Sequence, residues 1–218
     1  LTLVGSTGVT KTYDGTVLMP SGASGYAPLS GVVGTDDVQL IGVAKFDSAN
    51  AAVSRVITQG SLALTGAAAG NYTLNFTPGS GTINKATLTV KANNDARFVV
   101  GETEQANYAG VSYSGFVNGE TSSALNTSGL QVVRQGSGAG GALVSADQLA
   151  GVYSGKLIPS GITSTNYNLS YQSGDYTIVP AQELLVRVVP TSTVYGASSG
   201  YSVTAAYLQP NNNRIDFV

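Results

Sequence analysis

Asn71-Tyr72-Thr73-Leu74-Asn75-Phe76, followed by Thr82-Ile83, returns ninety-five residues later as Asn166-Tyr167-Asn168-Leu169-Ser170-Tyr171, followed by Thr177-Ile178. Tyr72, Leu74 and Phe76 stand on one side of the first block, with Thr73, Asn75 and Thr77 on the other, which is the period of a half-buried β-strand. Tyr167, Leu169 and Tyr171 repeat that face. The openings repeat as well. Leu1-Thr2-Leu3, Leu88-Thr89-Val90 and Leu184-Leu185-Val186 each lead, about ten residues on, into a glycine-bearing motif: Tyr13-Asp14-Gly15, Val99-Val100-Gly101 and Val194-Tyr195-Gly196. The chain therefore reads as a tandem array of modules of roughly 90 residues: 1–86, 87–182, and an incomplete start of a further module over 183–218.

Working outward, the periodicity is strand-like elsewhere too. Val38, Leu40, Gly42, Ala44 and Phe46 alternate over one face of 38–46. Turn signals such as Pro20-Ser21-Gly22, Pro78-Gly79-Ser80-Gly81 and Asn118-Gly119 recur at short intervals, and helix is confined to single turns, such as 121–125 or 145–149. Strands at this spacing predict an all-β chain of small β-sandwich-like modules. Neither junction, at 84–87 or 179–182, holds a flexible Gly/Ser stretch, and Pro180 fixes a backbone angle in the second. An extended rod is expected, its last module truncated. The strands of that last piece lack partners to complete their sheet, so it should dock on the second module or on another copy, with Ile215, Phe217 and Val218 covered.

Composition narrows function. Charged residues make up 10% of the 218, net charge is −2, and no basic run exists to offset phosphate, so nucleic acid is not an expected partner. The absence of Cys and His excludes disulfides and any thiolate or imidazole metal site. No run approaches the roughly 18 apolar residues of a membrane-spanning helix. The sequence opens at Leu1 without Met, and is read as part of something longer.

Several motifs bear a family likeness. Lys11-Thr12-Tyr13-Asp14-Gly15-Thr16, Leu29-Ser30-Gly31-Val32-Val33-Gly34-Thr35-Asp36, Leu64-Thr65-Gly66 and Ala69-Gly70-Asn71-Tyr72-Thr73-Leu74 resemble the YDG-type repeat of bacterial surface proteins. The second module resembles the MBG type, through Ser114-Gly115-Phe116-Val117-Asn118-Gly119-Glu120 and the closing Asn166-Tyr167 with 174–178. It departs from that pattern in carrying Val100 where the motif has Tyr. The third segment restarts the MBG pattern at Val194-Tyr195-Gly196. Such modules occur in filamentous-haemagglutinin-like and other large adhesins, exported by two-partner secretion or as autotransporters. The resemblance implies a secreted or cell-surface stalk, with neighbouring repeats of the same chain as partners, and brings no catalytic residue.

Candidate chemistry is sparse. Without His or Cys the usual nucleophile–base pairs are missing, and the acids, Glu120 among them, lie scattered, mostly at turns. Neither Asp36-Asp37 with Asp47 nor Glu102 with Glu104 makes a calcium loop. No cofactor is expected. Asp14 should accept a hydrogen bond from an amide two residues on, with Gly15 at positive φ and the Tyr13 ring buried, its hydroxyl on backbone. Lys11, or Lys85 beside Asn84, is the positional candidate for a Lys–Asn cross-link. The alternative to a stalk is a carbohydrate-binding module. For that reading Tyr108, Tyr113, Tyr201 and Tyr207, with Asn107, Asn118 and Asn211 to Asn213 near them, are the candidate glycan contacts.

Overall fold

The computed structural model describes residues 1–98, 108–189 and 202–217. Strand accounts for 49% of the structure and no helix reaches 7 residues among the described residues, so the chain is all-β as expected. In chain order the strands are β1 (Thr2–Val4), β2 (Thr7–Thr12), β3 (Gln39–Ile41), β4 (Lys45–Phe46), β5 (Ala52–Thr58), β6 (Ala63–Thr65), β7 (Asn75–Thr77), β8 (Gly79–Asn84) and β9 (Ala86–Ala92). There follow β10 (Asp95–Phe98), β11 (Val111–Ser114), β12 (Gln131–Arg134), β13 (Gly151–Ser160), β14 (Tyr167–Gln172), β15 (Gly174–Val179), β16 (Leu184–Val189), β17 (Ser202–Leu208) and β18 (Arg214–Phe217). Single 3-10 turns fall at Ser122–Ala124 and Ser145–Gln148, inside the two stretches expected to hold them.

The chain divides into two compact units. Unit 1 takes in 1–88, 114–126 and 163–170; unit 2 takes in 89–113, 127–162 and 171–218. A three-stranded sheet has the order β11-β9-β14.

Unit 1 is built on a four-stranded sheet of order β2-β8-β5-β4. β2 runs parallel to β8, pairing Lys11 with Ile83, and β5 runs antiparallel to β8. Two further pairs, β1-β7 and β3-β6, form separate two-stranded sheets. Leu3, Phe46, Ile57 and Ile83 are at most 1% exposed and form part of its core. The alternation expected over 38–46 is interrupted: β3 and β4 are separate strands. Gly42 has φ +86°, and a Cβ there would sit 2.2 Å from the Ser61 carbonyl oxygen, so the backbone bends at the one residue that can tolerate it. Ala44 and Phe46 still point inward.

Unit 2 holds a four-stranded sheet, β10-β15-β13-β12, in which β10 is parallel to β15 and the other pairs are antiparallel. Ala92, Val132, Leu157, Tyr176 and Ile178 make one buried cluster. The last segment forms an antiparallel sheet, β16-β17-β18. It docks on the second module: Leu185, Ala206 and Leu208 are buried with Phe98 and Val179. Ile215 and Phe217, expected to be covered, are 36% and 51% exposed. Alternation explains this: they pair with Tyr207 and Ala205, out of phase with the buried Ala206 and Leu208. Val218 lies outside the described residues.

Candidate functional site

A concentration of directed side-chain chemistry lies in unit 1, around Glu120. It is assembled from three short stretches. The first begins where β2 ends. Asp14 accepts from the Thr16 amide at 2.9 Å and the Thr16 hydroxyl at 2.9 Å, and Gly15 has φ +75°, as expected for an Asx-type turn. Lys11, pointing into the sheet, clamps the turn from below. Its Nζ meets Asp14 Oδ1 at 2.7 Å, the Thr16 carbonyl at 2.8 Å and the Leu18 carbonyl at 3.0 Å, and stands 5.8 Å from the Phe46 ring centre. Burial alone would push the Asp14 carboxyl up. The hydrogen bonds from Lys11 and Thr16 outweigh it and hold the group below its usual range. Lys11 is thus a satisfied structural ammonium, paired with Asp14.

The turn presents the Tyr13 ring, 5% exposed. Its hydroxyl does not end on backbone, as expected from the sequence; it donates to Glu120 Oε1. Tyr167, 2% exposed, donates its hydroxyl to Glu120 Oε2 and accepts from the Val117 amide at 3.1 Å. One carboxylate therefore bridges two phenols. The rings meet edge to face with centres 5.5 Å apart at 81°, and Phe116 stacks edge-on to Tyr167 at 5.6 Å, both favoured geometries. Burial is the main cause that pushes the Tyr13 phenol from 10 up to about 12, followed by the bond to Glu120 and its negative charge. Burial and then the Glu120 bond raise Tyr167 in the same way.

Glu120 is aimed by the Asn118-Gly119 turn. Both residues have positive φ, 51° and 70°, and the Glu120 amide closes on the Val117 carbonyl at 3.0 Å, the signature of a type I′ turn. Asn118 reaches the Gly15 carbonyl at 3.5 Å. Asn166 completes the arrangement: its Oδ1 accepts from the Ala51 amide at 3.0 Å, its Nδ2 donates to Asn50 Oδ1 at 3.1 Å, and its carbonyl accepts from the Ala86 amide at 3.0 Å. Lys85 is the single residue between β8 and β9, and its Nζ donates to the Ser164 carbonyl at 2.8 Å.

The YDG domain family model matches residues 1–82, and the model of the MBG domain (YGX type) matches residues 88–177. A YDG domain at 1–82 is thus followed by an MBG domain at 88–177. Comparison with curated proteins and with solved structures returns no match. Neither family is known as enzymatic. The Glu120 cluster therefore joins the Tyr-Asp-Gly motif of the YDG domain to the Asn-Gly-Glu and Asn-Tyr motifs of the MBG domain. From the sequence all three motifs read as turns or strands, with no indication that they meet. The only signal available was their shared polarity beside aromatic residues.

The four tyrosines singled out for glycans do not form one cluster among the described residues. Tyr108 packs edge-on to Tyr176 at 5.5 Å, lies 5.6 Å from the Arg97 guanidinium, and lines a 540 Å³ cavity in unit 2 with Asn94, Asp95, Arg97 and Arg187. Tyr113 and Tyr207 are half-buried strand residues outside that lining. Burial, with the neighbouring Tyr171, raises the Tyr113 phenol. Tyr201, like Asn107, lies outside the described residues. Among the described residues no group of three or more Asp, Glu, His or Cys is placed to hold a metal ion, and no helix is long and apolar enough to cross a membrane.

Proposed function

We propose that this chain is a non-enzymatic spacer segment of a secreted or surface-anchored bacterial adhesin, acting outside the cell to hold a distal binding region away from the surface. The observation that carries the reading is the joint around Glu120. Its polar and aromatic groups are spent on one another, and Lys85 alone separates the last strand of one domain from the first of the next. A single-residue connection with side-chain bonds on both sides restricts bending between β8 and β9, which is what a spacer needs. A second reading, glycan binding, is favoured by the cavity beside Tyr108, where an aromatic ring meets an amide and charged groups.

The test is replacement. In the full-length protein that carries this segment, 1–182 is exchanged for unrelated β modules of equal number, with surface display checked separately. A spacer expects adhesion to survive the exchange. Adhesion lost while display is retained, and lost equally on Tyr108→Ala, would replace this reading with the glycan-binding one.

A further inference from the structure

We propose that the Tyr13-Asp14-Gly15 turn is a docking surface that selects the module following it. Its partner is an MBG-type module offering a carboxylate at the end of an Asn-Gly turn and an Asn-Tyr pair, here Glu120, Asn166 and Tyr167. The proposal does not depend on what the longer protein adheres to. Two observations carry it. Several polar contacts at the joint pair a group of one domain with a group of the other: Tyr13 with Glu120, Asn118 with Gly15, Asn166 with Ala51 and Asn50. The fit is close, since a Cβ on Gly15 would lie 2.8 Å from Asn118 Cβ.

The experiment is hydrogen exchange on the whole 218-residue chain, read at the amides of β5 and β8, in the wild type, Tyr13→Phe, Glu120→Gln and the double variant. Glu120→Gln lies outside the YDG domain. It is nonetheless expected to speed exchange in β5 and β8 by about tenfold, the equivalent of 1.4 kcal/mol. Tyr13→Phe should raise it in the same direction, and the double variant no more than Glu120→Gln, because both single changes act on the Tyr13–Glu120 bond. Tyr171→Phe is the control. Among the described residues its hydroxyl bonds only the Ile162 backbone, so it weakens the MBG domain without touching the joint and should leave β5 and β8 unchanged. Asn166→Ala keeps its backbone bond to Ala86 and serves as a second probe should Glu120→Gln fold poorly. Exchange in β5 and β8 within twofold of wild type for both Glu120→Gln and Asn166→Ala overturns the proposal. So does a tenfold rise in Tyr171→Phe, or additive effects in the double variant.

Discussion

Tyr13→Phe should flatten the loss of stability that the wild type shows at alkaline pH. The Tyr13 hydroxyl is buried against the Glu120 carboxylate, and the phenol rises from 10 to about 12 on folding. A phenol held protonated by the fold contributes fully below pH 10. Above that the unfolded chain releases the proton while the folded chain keeps it, so stability falls between pH 10 and pH 12. Over the whole window the loss is about 2.7 kcal/mol, of which about 1.3 kcal/mol falls between pH 9 and pH 11. The variant lacks the donor. It should start about 1.5 kcal/mol below the wild type at pH 8, and the gap should nearly close by pH 11. Urea denaturation at pH 8, 9, 10 and 11, followed by far-UV circular dichroism, measures it. Tyrosine emission is unsuitable because ionisation itself alters it, and the chain has no Trp. Tyr167, raised by burial and then by its bond to the same carboxylate, remains in both proteins, so the difference between them reads Tyr13. A gap that stays constant from pH 8 to pH 11 would refute the assignment of that proton to the joint.

Asp147 accepts from the Val144 and Ser137 amides, each at 2.9 Å, and these bonds hold its carboxyl below the usual range. Its contribution is present above the unfolded carboxylate pKa and lost as pH falls, so the gap in melting temperature between wild type and Asp147→Asn should be widest at pH 7 and narrow at pH 3. Gly81→Ala places a Cβ 2.5 Å from the Val9 carbonyl oxygen and 2.9 Å from Phe46 Cε1; urea denaturation should show a loss of about 1–3 kcal/mol. Leu157→Ala opens the cluster shared with Val132, Tyr176 and Ile178 and should lose about 2–5 kcal/mol by the same measurement.

Local rules carried much of the structure. The Asx turn at Asp14, the positive φ of Gly15 and the turn at Asn118-Gly119 depend on residues within a few positions, and each was legible. The role of Glu120 was not, because its partners lie 107 and 47 residues away, and a carboxylate at a turn looks alike whether it faces water or two phenols. The repeat shows the same boundary from another side. Leu88 and Val90 in β9 are fully buried, while their counterparts Leu184 and Val186 in β16 are 57% and 51% exposed, and the intervening Leu185 is buried instead. In β9 only one set of alternate residues is apolar; in β16 the other set carries Leu185 and Val189 around Arg187, Leu185 taking the place of Thr89. Replacing one hydroxyl with an isobutyl group gave the strand a second face that could bury, and packing on Phe98 and Val179 used it. Period-two alternation identifies which side of a strand can leave water, but where both sides can, the neighbouring surface decides.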